Sequence, residues 1–384
     1  MKKILVLAPY CSLPGEFKFN RFMYIAKLLS DTFDVTLATS SFRHFDKTQR
    51  KENHYSEDYA IKMIYEPGYK KNVSFSRVFS HKVFCDNFKS WFNEVGHEFD
   101  IVYSAYPLIE TNVYLGKIKN KLHFKLILDV QDIWPEAISA ALPFVKSFPI
   151  DFLPFTQKAN KAYSKADALI SVSDSYMNRA IKKNATKYKE VVYIGSELGF
   201  INHEDKKKSH IFKLIYIGSL GYSYDLKTII IAVNELYDLG YDIQFDIYGG
   251  GMQESDLRKI AGKAINFNGF VPYEEMVKAI NIADAGVNCL KKSAPQSVTN
   301  KLSDYMSIGI PILNGQANNE VIELLSEYSD HENYESENID SAKRSIISLY
   351  ERKDNIRFRP CSKFDRSKEY LKIKNIIEEL LRIN

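Results

Sequence analysis

Hydroxyl, ammonium and carboxylate side chains lie within eight positions in the segment SVTNKLSD, residues 297–304. If a helix begins at Val298 or Thr299, its free amides, hydroxyls and positive end favour an anion there. Lys301 adds a full positive charge for the same anion. Asp304, one turn later, is an acceptor-only group suited to the vicinal hydroxyls of a ribose. The spacing therefore predicts a site for a nucleoside diphosphate with its sugar attached. A capped surface helix with a solvated lysine and aspartate is the alternative interpretation.

Glycine-rich turns follow two predicted strands of the C-terminal half. The turn IGSLGYSYD follows residues 212–217, YGGG follows 243–248, and the segment around Thr299 comes after a third strand at 285–290. Ligands of open α/β sheets bind beyond the carboxyl ends of the strands, where glycine permits close backbone approach. One such turn is equally consistent with a tight turn that binds nothing. Several at one sheet edge favour a phosphate-binding surface.

Short apolar runs alternate with amphipathic segments along the chain, in two successive arrays. Strands that alternate with helices indicate a parallel sheet covered on both faces. The runs with strand character are 3–8, 35–39, 61–65, 101–104, 124–130, 168–172 and 191–194 in the first array, and 212–217, 243–248, 265–267 and 285–290 in the second. The predicted fold class is α/β, with Rossmann-like domains at 1–195 and 211–365 that face each other across a cleft. The charged segment near 203–210 is the predicted linker.

Composition excludes several classes of protein. The chain has 384 residues, 45% of them apolar and 26% charged, and a net charge of +4. These values are typical of a soluble two-domain protein, and the small charge argues against a nucleic-acid partner. The four cysteines lie far apart without CxxC or histidine partners, so neither a zinc site nor a disulfide framework is predicted. Because the apolar run before Pro9 is too short for a signal peptide or a spanning helix, we expect a cytoplasmic protein.

Four successive blocks of the C-terminal half carry a resemblance to a known family. The blocks are YIGSLGYSYDLKTIIIA, FDIYGGGMQESDLRKIA, INFNGFVPYEEMVKAINIADAGVNCL and TNKLSDYMSIGIPIL. In this order they resemble the donor domain of family-four glycosyltransferases of the GT-B fold, over about residues 212–325. In the N-terminal half, LILDVQDIWPEA resembles the DLWPE segment of a bacterial subgroup that includes fucosaminyltransferases of surface-polysaccharide assembly. The match over residues 1–126 is much looser.

The resemblance implies a reaction and its substrates. Family members transfer a sugar from a nucleotide diphosphate sugar to an acceptor hydroxyl, with retention and without a metal. We therefore expect a hexosyl- or N-acetylhexosaminyl-transferase that uses a UDP-sugar and no cofactor. The expected acceptor is a glycan or a polyprenyl-diphosphate-linked sugar in capsule or O-antigen synthesis. The C-terminal segment, about 366–384, is expected to pack back on the N-terminal domain.

The family's motif residues carry over only in part. Its paired glutamates fall at Gln296 and Asp304, so the ribose-binding carboxylate is kept but the charge near the donor sugar is lost. The basic residues that usually hold the diphosphate fall near Ser219 and Tyr224, which shifts phosphate binding to Lys301 and backbone amides. In family members one segment lies beside the nucleotide base, and the matching residues here are GFVP, 269–272. The resulting donor-binding set is Gly15, Gly218, Ser219, Gly249, Gly250, Phe270, Val271, Ser297, Thr299, Lys301, Leu302 and Asp304.

Two residues are the catalytic candidates, Asp132 and Gln296. A glutamine at 296 is compatible with the front-face mechanism proposed for the family, in which the departing phosphate accepts the acceptor's proton and no covalent intermediate forms. Asp132, after the run 124–130, would contact the donor sugar or orient the acceptor hydroxyl, or else cap the segment that begins at Ile133. His44 and His81 are weaker candidates for acceptor contacts, because a lone histidine is usually structural.

The segment 142–165 has two open interpretations. It combines leucine and phenylalanine residues with four lysines, and three prolines and an aspartate interrupt it, so it cannot span a bilayer. It suits an anionic membrane surface, where it would bring the protein to the inner face of the cell membrane. A buried connection on the N-terminal sheet is the alternative. Two other functions also stay open: a sugar-nucleotide epimerase of related fold, and a non-catalytic nucleotide-sugar-binding module.

Overall fold

The computed structural model describes residues 1–16, 21–51, 56–71, 74–133, 154–197, 210–292, 294, 297–327, 330–355 and 358–382. The chain forms two compact units, one from Met1–Val192 together with Tyr370–Asn384 and one from Tyr193–Glu369. Each unit has a parallel sheet and its own apolar core. The predicted α/β class with two Rossmann-like domains is confirmed. Most of the predicted linker near 203–210 lies outside the described residues.

The N-terminal unit is built on a parallel sheet. Its strands are β1 Lys3–Leu7, β2 Asp34–Ser40, β5 Ala60–Ile64, β6 Ile101–Tyr106, β7 Lys125–Val130, β8 Ala168–Ser171 and β9 Lys189–Val191. Their order is β5-β2-β1-β6-β7-β8-β9, and a short hairpin of β3 Phe42–Arg43 and β4 Thr48–Gln49 follows β2. The central strands are buried along nearly their whole length, as expected for a parallel sheet covered on both faces. The last predicted strand, 191–194, is placed earlier in the structure, at β9.

Helices complete the N-terminal unit. They are α1 Arg21–Ser30, α2 Phe75–Val95, α3 Ile109–Leu122, α4 Pro154–Lys165, α5 Asp174–Ile181 and, from the C-terminal end of the chain, Leu371–Arg382. The last helix buries Ile373, Ile376, Ile377 and Leu380, which recur at helical spacing and join the core of this unit. Among the described residues, no helix combines the length and the apolar character that crossing a membrane requires.

A buried ion pair fixes the first helix on this sheet. Arg21 Nε lies 2.8 Å from Asp129 Oδ2, and Tyr103 Oη donates to the same oxygen at 2.6 Å. Arg21 also donates to the carbonyl of Val192 and to Tyr370 Oη, so that α1, two strands and the C-terminal segment meet at one guanidinium. A buried charge pair needs such additional hydrogen bonds to offset the loss of hydration.

The C-terminal unit repeats the parallel architecture. Its strands are β10 Phe212–Ile217, β11 Ile243–Tyr248, β12 Ile265–Gly269, β13 Ala285–Asn288, β14 Ile312–Asn314 and β15 His331–Asn333, in the order β12-β11-β10-β13-β14-β15. Its helices are α6 Leu226–Asp238, α7 Glu254–Ile260, α8 Tyr273–Ile282, α9 Asn300–Ile308, α10 Asn319–Glu327, α11 Ile339–Glu351 and α12 Arg366–Glu369. Because the strands are parallel, the turns that follow β10, β11 and β12 all lie at one edge of the sheet.

Candidate functional site

Helix α9 begins where the sequence places it. Thr299 is the N-cap, with extended backbone and its Oγ1 accepting from the amide of Leu302 at 3.4 Å. The helix ends at Gly309, which has the left-handed conformation and stops the helix before β14. The predicted start at Val298 or Thr299 is therefore confirmed, and the helix N-terminus lies at the carboxyl edge of the sheet. Leu302 is fully buried, so its side chain belongs to the core.

Lys301 is buried among tyrosines. The residue is 5% exposed, and its Nζ donates to Tyr216 Oη at 3.0 Å. The Nζ also lies 3.3 Å from the centroid of the Tyr224 ring and 4.4 Å from that of Tyr216. It is 3.6 Å from the position that a Cβ on Gly218 would occupy, so the ammonium is against the glycine turn that follows β10. The interpretation of Lys301 as a solvated surface residue is wrong for this structure.

The charge of Lys301 is only weakly compensated by the protein. Burial lowers the pKa of Lys301 from 10.5 to about 7. Among the described residues it forms no ion pair with a carboxylate; its contacts are a phenol and two aromatic rings. A nearby anion would favour the protonated form of Lys301.

Asp304 lies one turn further along the same helix. It is 9% exposed, and its Oδ1 accepts from Tyr273 Oη at 2.9 Å. Burial raises the pKa of Asp304 to about 7, although the Tyr273 hydrogen bond and the charge of Arg366 oppose the rise. Arg366 is held close by its hydrogen bonds to the carbonyls of Ile194 and Gly195. Asp304 is therefore poised between its neutral and ionised forms at neutral pH.

Two glycines let the neighbouring turns meet. Gly218 and Gly249 both have φ of +122°, and a Cβ on Gly249 would lie 1.9 Å from the carbonyl oxygen of Gly218. The amide of Gly218 donates to the carbonyl of Tyr248, and that of Gly249 donates to the carbonyl of Gly269. The turns after β10, β11 and β12 are thus joined directly by backbone contacts. No side chain larger than hydrogen fits at Gly249 without displacing this junction.

The other predicted donor-binding residues surround the same turns. Ser219 is exposed, and its carbonyl accepts from Tyr216 Oη at 2.7 Å. The carbonyl of Gly250 accepts from Leu220, and a Cβ on Gly250 would lie 2.9 Å from the Phe270 ring. Phe270 is 65% exposed, which is unusual for an aromatic side chain, and Val271 next to it is partly buried. The structure therefore brings these positions to the edge that carries Lys301.

Ser297 belongs to a buried polar network that no sequence pattern indicated. Its Oγ donates to Glu320 Oε2 at 2.8 Å, and its carbonyl accepts from Gln316 Nε2 at 3.0 Å. Asn288 Nδ2 donates to both Asn314 Oδ1 and Gln316 Oε1. Tyr216 and Tyr224, which enclose Lys301, were also not among the predicted site residues. The only sequence signal was their position in the IGSLGYSYD turn and at the end of the strand before it.

Three predicted site residues remain: Gln296, Asp132 and Gly15. Gln296 is outside the described residues. Asp132 and Gly15 belong to the N-terminal unit, where Asp132 Oδ1 accepts from the amide of Ile133 at 2.8 Å. Gly15 has φ of +84°, in a turn where a side chain would meet no neighbour within 4 Å. Their roles in donor binding or catalysis stay predictions.

A metal-binding cluster of side chains is not present in the described part of the chain. No group of three or more histidine, cysteine, aspartate or glutamate side chains there has the arrangement of a metal site. All four cysteines are free thiols.

Comparison with known proteins relates the C-terminal unit to a family. Residues 229–357, about a third of the chain, match the family described as "Glycosyl transferase-like". Comparison with the sequences of curated proteins gives no significant match.

Solved structures match nearly the whole chain. Sucrose-phosphate synthase from Thermosynechococcus elongatus is 12% identical, with a TM-score of 0.69 and all of both chains covered. The apo form of the lipopolysaccharide outer core galactosyltransferase WaaB is 14% identical, with a TM-score of 0.64 over 98% of this chain and 99% of that one. A trehalose-6-phosphate structure from E. coli, bound with UDP-2-fluoro glucose, is 11% identical, with a TM-score of 0.60 over 98% of this chain and 96% of that one.

The fold class is therefore GT-B. At these identities the structural matches establish the fold alone. The family match over 229–357 joins the fold in supporting a glycosyltransferase.

Proposed function

We propose that the protein transfers a sugar, with retention, from a UDP-sugar to a hydroxyl of a glycan or lipid-linked acceptor. The observation that carries the proposal is the buried ammonium of Lys301 against the Gly218 turn, at the N-terminus of α9. Charge, free amides and close backbone approach are what a diphosphate requires. A nucleotide-sugar donor is also supported by one structural neighbour, which was solved with UDP-2-fluoro glucose bound.

The donor's parts match the side chains of this edge. Lys301 would hold the diphosphate, and its charge would stabilise the negative charge that develops there as the glycosidic bond breaks. Asp304 would accept from the ribose hydroxyls, in competition with Tyr273, whose hydroxyl already donates to it. The exposed ring of Phe270 is available to the nucleotide base. The metal-independent mechanism follows, because Lys301 and amides take the place of a cation.

The proposed catalytic step involves Gln296 and Asp132. In the proposed front-face route, the departing phosphate accepts the acceptor's proton, so no side chain has to act as a nucleophile. Gln296 would contact the donor sugar without supplying charge. Asp132 would orient the acceptor hydroxyl. A hexosyl or N-acetylhexosaminyl unit is the transferred group that we expect.

The biological setting that we propose is surface-polysaccharide synthesis at the cytoplasmic face of a bacterial membrane, in capsule or O-antigen assembly. The structural neighbour WaaB is a galactosyltransferase of the lipopolysaccharide outer core, which supports the same kind of acceptor here. The proposed membrane contact through 142–165 involves residues of which 142–153 lie outside the described part. Within helix α4, Phe155 is 59% exposed.

A panel of nucleotide sugars tests the proposal without knowledge of the acceptor. The protein is incubated with each donor in the presence of a chelator, and the products are separated by ion-exchange chromatography and mass spectrometry. We expect slow hydrolysis of one or a few UDP-sugars to UDP and free sugar, and loss of this reaction in Lys301→Ala. Conversion of a UDP-sugar to its epimer would favour the epimerase. Nucleotide-sugar binding without turnover, even with acceptors added, would favour a binding module.

A further inference from the structure

Four aromatic and imidazole rings form a cluster in the N-terminal unit. The Tyr10 ring lies 4.8 Å from that of His44 and 5.7 Å from that of His81, between centroids. The Tyr69 ring lies 5.7 Å from each of the same two imidazoles. Hydrogen bonds join Tyr10 Oη to His81 Nε2 at 2.6 Å and Tyr69 Oη to His44 Nδ1. We call these four residues the ring cluster.

The fold places the ring cluster where open α/β sheets bind ligands. Tyr10 follows β1, His44 lies in the hairpin after β2, and Tyr69 follows β5. These three strands are neighbours in the sheet, so their carboxyl ends meet at one edge. His81 reaches the same place from helix α2. In the sequence each histidine is isolated, and an isolated histidine is weak evidence of a functional site. The fold around the parallel sheet brings the two together.

Two cationic side chains lie on the ring cluster. Lys47 Nζ is 4.8 Å from the centroid of the Tyr69 ring, and the guanidinium of Arg77 is 5.6 Å from it. Both side chains are partly exposed. Lys47 has φ of +61°, an unusual conformation for lysine that occurs mostly at turns and functional positions. The carboxylate near the cluster, Glu66, accepts from the hydroxyls of two buried serines and also interacts electrostatically with Arg77.

The imidazoles are held neutral beside these cations. Lys47 Nζ lies 3.3 Å from His44 Nδ1, and because an ammonium only donates, Nδ1 is an acceptor and Nε2 carries the proton. Burial, with the charges of Lys47 and Arg77, lowers the pKa of His44 to about 4. Burial and the charge of Arg77 lower the pKa of His81 to about 4 as well. The cluster thus combines two cationic side chains with imidazole N–H donors at one place, beside the single carboxylate of Glu66.

We propose that the ring cluster, with Lys47 and Arg77, binds a phosphate or diphosphate group of the acceptor. The chemistry is a charge-assisted oxyanion site: guanidinium and ammonium supply charge, and imidazole N–H groups donate hydrogen bonds. The proposal of an oxyanion site uses only residues of the N-terminal unit. Its assignment to the acceptor rests on the proposed transferase function, since the donor's own diphosphate is assigned to Lys301 in the other unit.

Two sources can provide this anion, and helix α2 is a reason to test both. Phe75, Val78 and Phe79, on the turns of α2 that carry Arg77, are 95%, 68% and 62% exposed. Exposed apolar side chains at this spacing suit the surface of a lipid bilayer. The phosphate could therefore belong to a lipid-linked sugar or to a soluble sugar phosphate.

The test uses histidine resonances of the full-length chain labelled with [15N]histidine. Inorganic pyrophosphate is titrated into the protein, in a Lys301→Ala background that weakens the other anion site. We expect the His44 and His81 signals to move, with an upward shift of both imidazole pKa values, because a bound anion favours the protonated rings. Lys47→Asn removes one charge with a residue that tolerates positive φ, and Arg77→Gln removes the other. Each is expected to weaken pyrophosphate binding about tenfold.

Controls separate this inference from the transferase proposal. Lys117→Gln removes an exposed charge from α3 and should leave the titration unchanged. Circular dichroism checks that the variants are folded. Absence of shifts in both histidines, or identical titrations in Lys47→Asn, Arg77→Gln and their parent, would overturn the proposed site. If the Lys301→Ala protein binds pyrophosphate at the cluster while the wild-type protein turns over no nucleotide sugar, the site is kept and the transferase is refuted. Titration with vesicles that contain anionic phospholipid, beside soluble glucose 6-phosphate, then distinguishes the two sources.

Discussion

Replacing Lys301 by methionine should change stability and donor binding in opposite directions. Burial lowers the pKa of this lysine from 10.5 to about 7. The folded state therefore binds the proton less tightly than the unfolded chain, a penalty of up to about 5 kcal/mol that is complete below pH 7. Methionine also loses the hydrogen bond that the lysine nitrogen makes with Tyr216 Oη, a loss of about 1 to 2 kcal/mol. We expect Lys301→Met to stabilise the free protein by about 3 kcal/mol at pH 6.

The same substitution should weaken the nucleotide complex. Loss of a charge-assisted phosphate contact is worth about 1.5 to 3 kcal/mol, or roughly 10- to 150-fold in the Kd for UDP. Chemical denaturation at pH 6 and pH 9 measures the stability gain, which should be smaller at pH 9 because the penalty declines between pH 7 and 10.5. Calorimetry with UDP measures the affinity.

A matched control and the refuting result complete this prediction. Lys278, exposed on helix α8, gives the same change of side chain without burial, so Lys278→Met should alter neither stability nor UDP affinity. If Lys301→Met instead destabilises the protein and leaves UDP binding intact, then Lys301 is a structural residue. The assignment of the diphosphate site would then be wrong.

Three further predictions concern the same edge of the sheet. Asp304→Asn should weaken the binding of free UDP about tenfold, because the lost contact is to ribose. Because the pKa of Asp304 is raised to about 7, the wild type should also lose stability relative to this variant as pH rises from about 4 to 7. Equal UDP affinity would make Asp304 structural. Gly249→Ala should lower the free energy of unfolding by about 3 kcal/mol or more, because its Cβ would meet the Gly218 carbonyl. The control Gly240→Ala, with φ of +93° and open space around the new Cβ, should lower it by only about 1 to 2 kcal/mol. Similar losses for the two variants in urea unfolding would contradict the close contact at Gly249. Activity should survive chelation, and restoration by magnesium or manganese would count against the metal-independent mechanism.

The sequence was a good guide where local chemistry decides the structure. Thr299 caps α9 because a hydroxyl and extended backbone at that position satisfy a free amide, and such a signal is readable in the sequence. The alternation of buried strands and amphipathic helices was sufficient to predict the α/β class, since a parallel sheet requires both. The glycine turns were placed at the correct edge for the same reason.

Long-range contacts explain what was missed. Tyr216 and Tyr224 enclose Lys301 only because β10 and its turn lie beside α9, although the two segments are far apart in the chain. The hydrogen bond between Ser297 and Glu320 likewise joins segments that no local pattern relates. The interpretation of Lys301 as solvated failed because an isolated lysine on a helix carries no sign of the pocket that its neighbours build.

A crystal structure of the protein with UDP tests the proposed donor site most directly. We predict phosphate oxygens within about 3 Å of Lys301 Nζ, beside the amides of the Gly218 turn and the start of α9. We also predict ribose hydroxyls at Asp304, and the base beside Phe270 and Val271. UDP bound away from this edge, or with its phosphates out of reach of Lys301, would contradict the proposed donor site.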